Sequence, residues 1–148
     1  MAHWSKGMGP NFVPAYQISG IPYVTSSILS EVGTTPIKVT FPQVTRFFVV
    51  QNISENPLRV GFTSNGVNAA ETANYLVLSG NQATGRLELR CKELYFRREG
   101  GTNCGFSVLA GLSGVASNQF PTLTSSFLYS GSDGEPLPQP IPKFEGVG

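Results

Sequence analysis

The sequence predicts an all-β domain, a sandwich or barrel of roughly eight short strands. Three observations carry this. Apolar residues alternate with polar ones at period two in several places. No window sustains apolar residues at i, i+3, i+4 and i+7 without a glycine or proline interrupting it. Turn-forming stretches such as "SENP", "SGNQATG" and "EGGTNCG" recur between the alternating runs.

The elements follow in order. "IKVTF" places Ile37, Val39 and Phe41 on one face and Lys38 and Thr40 on the other. "LRVGF" does the same with Leu58, Val60 and Phe62 against Arg59, after Pro57, which suits a strand start because it lacks a ladder donor. "FSVLAGL" aligns Phe106, Val108, Ala110 and Leu112. Period two is what a sheet with one buried face requires. "RFFVVQN" is apolar on both faces through Phe47, Phe48, Val49 and Val50. Either both sides of that strand are covered within the domain, or one side meets another subunit.

In "RLELRCKELYFRRE", Leu87, Leu89 and Cys91 share one parity, while Leu94 and Phe96 share the other. A flat strand cannot hold both sets on one face. A bulge, or a crossing from one sheet to another near Lys92, is expected there. The only place open to a helix is around "NAAETAN", for one turn or two.

The ends differ from the middle. Residues 1–14 form an N-terminal arm with Gly7, Gly9, Pro10, Pro14 and an isolated Trp4. Residues 15–116 form the β domain, and 117–148 a Pro/Gly-rich C-terminal extension. There, proline occupies every second position from Pro136 to Pro142, which favours an extended polyproline conformation. A ligand for an SH3-like domain is disfavoured, because Lys143 is the one nearby base. A disordered tail and an arm lying along a neighbouring subunit both remain open, with Leu137, Ile141 and Phe144 as the arm's contacts.

Composition narrows the function. Charged residues make up 13% of the 148, against about 25% in ordinary soluble domains. A surface packed against neighbours accounts for this, and so does the Thr and Ser content of plain β-structure. Net charge is +1 with no one-signed face, which argues against direct nucleic-acid binding. No apolar run reaches the ~20 residues of a membrane span. "MAHWSKGMGPNF" has no signal-peptide core, so a cytosol-like compartment is expected.

Reactive chemistry is sparse. His3, in the N-terminal arm, is the single histidine and a poor partner for a nucleophile. Cys91 and Cys104 are the two cysteines; they could pair, but reduced and buried thiols are expected. Clustered zinc ligands, a Walker-type loop and GxGxxG are all missing, so no catalytic, cofactor-binding or metal residues are assigned. The acidic residues read as solvated charges. "NIS" at 52–54 matches a glycosylation triplet and is treated as chance. Eight charges of mixed sign crowd into residues 86–99. They suit a solvated strand face with cross-strand ion pairs, or an intersubunit seam in which mixed charges fix register.

The succession "RFFVVQN", "PLRVGFTS", "NYLVLSGNQATGRLELRCKELYFR" and "GFSVLAGLSGV" resembles the single jelly-roll penton proteins of nucleocytoplasmic large DNA viruses. The likeness spans roughly residues 15–116 and rests on strand order and local phrasing. It implies a sandwich of two four-stranded antiparallel sheets with extended N- and C-terminal arms. It also implies a homopentamer at icosahedral fivefold vertices, beside major and minor capsid proteins, in a virion assembled in the host cytoplasm. It implies no cofactor and no catalytic residue. On that expectation one face of "FFVV" fills the core and the other meets a neighbour or a covering loop. Two alternatives stand beside it. One is a minor capsid or cement protein of the same kind of particle. The other is a carbohydrate- or receptor-binding β-sandwich, with Tyr16, Tyr23, Tyr75 and Tyr129 as sugar-stacking candidates.

Overall fold

A computed structural model of the chain describes residues 20–27, 31–69, 73–121 and 123. Expectations for residues 1–14, Tyr16, Tyr129 and the proline run fall outside them. Seven strands are present: β1 (Ile21–Ser26), β2 (Ile37–Thr40), β3 (Gln43–Asn52), β4 (Leu58–Gly61), β5 (Leu76–Leu78), β6 (Glu93–Arg98) and β7 (Phe106–Ala116). One short helix, α1 (Ser64–Asn68), lies between β4 and β5, and a 3₁₀ turn, Ser117–Gln119, follows β7.

The strands form two antiparallel sheets, β1-β7-β3 and β2-β6-β4-β5. The first was expected to have a fourth strand. It has three, and segment 82–91 meets the free edge of β3 only at isolated bridges, Phe48 with Leu87 and Gln51 with Ala83. Asn52 N donates to Gln82 O, Thr84 N to Val50 O, and Phe48 and Leu87 exchange both backbone bonds. The ladder is intermittent because threonine hydroxyls replace backbone partners. Val50 N donates to Thr84 Oγ1 at 2.9 Å and Cys91 N to Thr45 Oγ1 at 3.0 Å.

The pairing has a simple order. β1 pairs with β7, β2 with β6, β3 with segment 82–91, and β4 with β5. The first half of the chain is therefore zipped to the second half in reverse, like a long ribbon folded at the β4–β5 bend. The contacts β7·β3 and β6·β4 gather alternate ribbon pairs into two sheets.

Alternation sets what is buried. Phe48, Val50, Phe106, Val108, Ala110 and Leu112 point inward from the first sheet, and Val39, Leu58, Val60, Leu78, Leu94 and Phe96 from the second. The rings of Phe96 and Phe106 stack between the sheets at 3.9 Å. Tyr23 meets Phe41 edge-on at 5.4 Å, and Phe48 meets Phe62 at 6.4 Å. These contacts set β1 beside the β2 side of the second sheet, and β3 beside β4.

The crossing near Lys92 is present. Cys91 O accepts from Thr45 N in β3, Lys92 O accepts from Phe41 N, and β6 starts at Glu93 in the other sheet. Parity reverses at the switch, which explains the two leucine sets. Leu89 departs from expectation, being exposed while Leu87 and Cys91 face inward. Thr45 Oγ1 donates to Leu89 O as well as accepting from Cys91 N. A side chain thus pins this stretch where a pleated ladder would hold parity, beside register shifts in β3.

The helix falls at the start of the stretch expected for it, ending at Asn68, the first residue of "NAAETAN". Thr63 caps it, accepting from Gly66 N at 3.0 Å, and Ala69 ends it in the left-handed region at φ 55°.

Candidate functional site

Among the described residues no three His, Cys, Asp or Glu side chains gather to hold a metal ion. Cys91 and Cys104 are both free and buried. Burial pushes the Cys91 thiol up to about 11, against weaker opposing hydrogen bonds from Thr45 and the Glu93 backbone. Burial raises Cys104 as well, and its Sγ lies 3.2 Å from Pro57 O. Neither is set up as a nucleophile, which needs a lowered pKa and access.

Two hollows differ in size. One of about 70 Å³ is lined by Phe62, Thr63, Lys92, Glu93, Tyr95 and Leu123. That suits a water or two, well short of the 300–1,000 Å³ of an organic-ligand pocket. In its wall Tyr95 donates to Glu93 Oε2 at 2.8 Å. Burial first, then that bond and the Glu93 charge, push the Tyr95 phenol up to about 12. A more open depression of about 370 Å³, bordered by Thr34, Pro36 and Arg98, has its cation occupied, because Arg98 Nη1 donates to Gly101 O at 2.7 Å and Asn103 Oδ1 at 3.1 Å.

Asn52 shows what the "NIS" triplet does. Its side chain is 0% exposed. The amide nitrogen donates to Asn56 O, Leu78 O and Ser79 O at 2.7, 3.1 and 3.1 Å, and Oδ1 accepts from Ser54 N and Ser54 Oγ. The residue ties the end of β3 to the end of β5 across the two sheets.

The charge-rich stretch is largely satisfied inside the chain. Lys38 and Glu93 pair across β2 and β6 at 3.9 Å, and Arg86 pairs with Glu88 at 2.8 Å. Arg59 pairs with Glu99, donates to Val67 O and lies 4.3 Å over the Tyr75 ring. Arg97 Nε donates to Thr34 O. Lys38–Glu93 and Arg59–Glu99 join neighbouring strands, Arg86–Glu88 lies within one segment, and the remaining bonds go to backbone carbonyls. The sugar-stacking candidates inside the described region are engaged: Tyr23 packs on Phe41, and Tyr75 lies under Arg59.

The remaining feature is apolar surface. On the outer face of the first sheet, Val24, Leu109 and Val49 stand in one cross-strand row. Val24 is 67% exposed and Leu109 46%. In the next row Phe47 covers Gly111, where a Cβ would collide with its ring, and Arg86 lies over Phe47 at 4.4 Å. The two outward residues of "FFVV" are both half-buried: Phe47 lies under Arg86 of segment 82–91, and Val49 stands in the row of the exposed Val24 and Leu109. Leu76 and Val77 on β5, which point to opposite faces of that strand, and Leu89 on segment 82–91 are exposed as well, and β5 is the far edge of the second sheet from β2.

No family model, no curated protein and no solved structure matches the chain.

Proposed function

We propose that the chain is a structural capsid protein with a single jelly roll, closing icosahedral fivefold vertices as a homopentamer. The ribbon pairing is the observation that carries this reading. Seven strands and the bridged segment 82–91, paired first with last and innermost with innermost across two antiparallel sheets, support a jelly-roll winding, the architecture of many viral capsid domains. Fold alone does not fix function. The surface supports the assignment independently. The Val24–Leu109–Val49 row on the first sheet and the exposed Leu76 and Val77 on the β5 edge of the second are apolar surfaces on different parts of the molecule. Two unlike patches suit a heterologous contact, in which one side of a copy meets another side of the next and rotation closes a ring.

Neighbouring major and minor capsid proteins would then be the other partners, and the virion the location. Among the described residues no helix is long and apolar enough to cross a membrane. The carbohydrate-binding alternative loses Tyr23 and Tyr75 to internal contacts. The cement-protein alternative keeps the same fold and differs in copy number.

Native mass spectrometry over a concentration range, on the full chain and on one lacking residues 131–148, tests the proposal. A fivefold species supports the vertex role. A trimer overturns it, and a monomer that stays monomeric at high concentration shifts the assignment to a cement protein.

A further inference from the structure

Asn65 and Gly66 are the chain's one Asn–Gly pair. Such a pair carries its own reaction. The glycine amide nitrogen attacks the carbonyl carbon of the asparagine side chain, a new C–N bond closes a succinimide ring, and the old C–N bond breaks as ammonia leaves. Water then opens the ring at one carbonyl or the other, giving aspartate or isoaspartate. Water is consumed and ammonia released, with no oxidant or cofactor. Glycine favours ring closure because it has no Cβ to obstruct the approach.

The fold places both residues in α1 and treats them differently. Asn65 is exposed, so water reaches its side chain, whereas Gly66 is buried. The attacking nitrogen is already engaged, since Gly66 N donates to Thr63 Oγ1 at 3.0 Å. The Asn65 carbonyl accepts from Ala69 N at 3.1 Å, which holds the peptide unit between the two residues in helical geometry. Ring closure needs the ψ angle of Asn65 to leave the helical range and the Gly66 N–H to leave its acceptor. The Gly66 carbonyl is held too, by Asn74 N at 3.3 Å. These restraints are local. α1 has five residues, too few for a helix stable by itself, and its start rests on one threonine cap.

We propose that Asn65 is a site of spontaneous deamidation whose rate is set by the Thr63 cap. Each opening of α1 releases the Gly66 N–H and lets the ring close. The product alters the structure around it. Isoaspartate adds a backbone carbon between residues 65 and 66. Val67, the next residue, is fully buried and packs where a Cβ on Gly61 would collide with it. Its carbonyl accepts from Arg59 Nη1 at 2.8 Å, and Arg59 in turn pairs with Glu99 and covers the Tyr75 ring. Conversion therefore puts a new negative charge on the surface and displaces the anchor of α1 on β4. The inference stands apart from the capsid reading, because the reaction needs a single copy of the chain.

Peptide mapping by mass spectrometry, after incubation of the full-length chain in mildly alkaline buffer, tests it. In urea Asn65 should convert before every other asparagine. In the native chain its conversion should be about tenfold slower or more. Thr63→Val removes the cap hydroxyl with little change of shape and should speed conversion in the native chain about fivefold, the ratio that a cap's contribution to stability corresponds to. Thr63→Ser keeps the hydroxyl and should stay within a factor of about two of the parent. The assignment of the site is overturned if another asparagine converts first in urea. The role of the cap is overturned if Thr63→Val and Thr63→Ser convert alike, or if the native chain converts as fast as the unfolded one.

Discussion

Replacing Asn52 by alanine probes how the two sheets are joined. The side chain is fully buried and makes five hydrogen-bond contacts, three as donor and two as acceptor. Ser54 Oγ keeps its own bond to Asn56 O at 3.2 Å, so the substitution strands chiefly the Ser54 N–H and one or two carbonyls. Each buried backbone group left unpaired costs about 1–3 kcal/mol, and the emptied volume adds to that, for a total of about 3–5 kcal/mol. That is a large part of the 5–15 kcal/mol typical of a domain. With a urea dependence of about 2 kcal/mol per molar, the unfolding midpoint should fall by about 2 M. Gln51→Ala, one residue away and exposed, should stay within about 0.5 kcal/mol of the parent. Ser54→Ala should be partly non-additive with Asn52→Ala, because the two share bonds. A loss below about 1 kcal/mol for Asn52→Ala, in a chain that still unfolds in one transition, would refute the view of this residue as the tie between β3 and β5.

Other outcomes follow from the same contacts. Val50→Asp places a charge in the core and should prevent folding, whereas Val49→Asp should fold and weaken self-association; circular dichroism and analytical ultracentrifugation separate the two. Gly111→Ala should cost about 1–3 kcal/mol because its Cβ collides with the Phe47 ring, and the cost should shrink when Phe47 is also changed to Ala. Stability should decline in alkali. The folded-state values of Cys91 and Tyr95 are raised, so the unfolded chain releases these protons first; their contribution is whole below pH 9 and is lost between 9 and about 11 for Cys91, and between 10 and about 12 for Tyr95. A melting temperature flat from pH 8 to 11 would contradict this. Glu93→Gln should lower the spectroscopic titration midpoint of Tyr95 yet leave it above 10, because burial is the larger cause.

Much of the fold was legible wherever one face of a strand is buried. "IKVTF" and "FSVLAGL" bury the residues their alternation selects. The parity break between Cys91 and Leu94 located the sheet crossing, since only a change of sheet or a bulge reconciles it. What escaped depends on side-chain hydrogen bonds. Leu89 is exposed because Thr45, 44 positions away, holds its carbonyl. The bounds of the helix rest on one threonine cap and five residues, too short for a periodic signal. Asn52 lay in view as a glycosylation triplet, and its structural role could have been sought in the spacing of Asn52, Ser54 and Asn56, polar residues that bond locally in turns. The division of labour within "FFVV" was visible only as a choice. Arg86, which covers Phe47, belongs to a segment that no local pattern assigns to β3.

The ribbon order has a further consequence for assembly. Folding a ribbon at its middle sets the β4–β5 bend, with segment 82–91, on one side of the sandwich. Strands β1 and β2 fall on the other. The sides cannot be equivalent, because one is built from the middle of the chain and the other from its first part. A self-complementary twofold contact uses one patch twice and has no need of that inequality. A ring uses it directly, since every copy must present two different surfaces. The apolar residues follow the same division, with Leu76, Val77 and Leu89 near the bend and Ile21 and Val24 on β1. If the proposed pentamer forms, Leu76→Asp and Val24→Asp should each prevent ring closure alone. Mixing the two variants should yield a dimer, because each retains one intact half of the contact and a single interface can form between them. A twofold assembly would give no such complementation, and that outcome would redirect the reading away from a fivefold vertex.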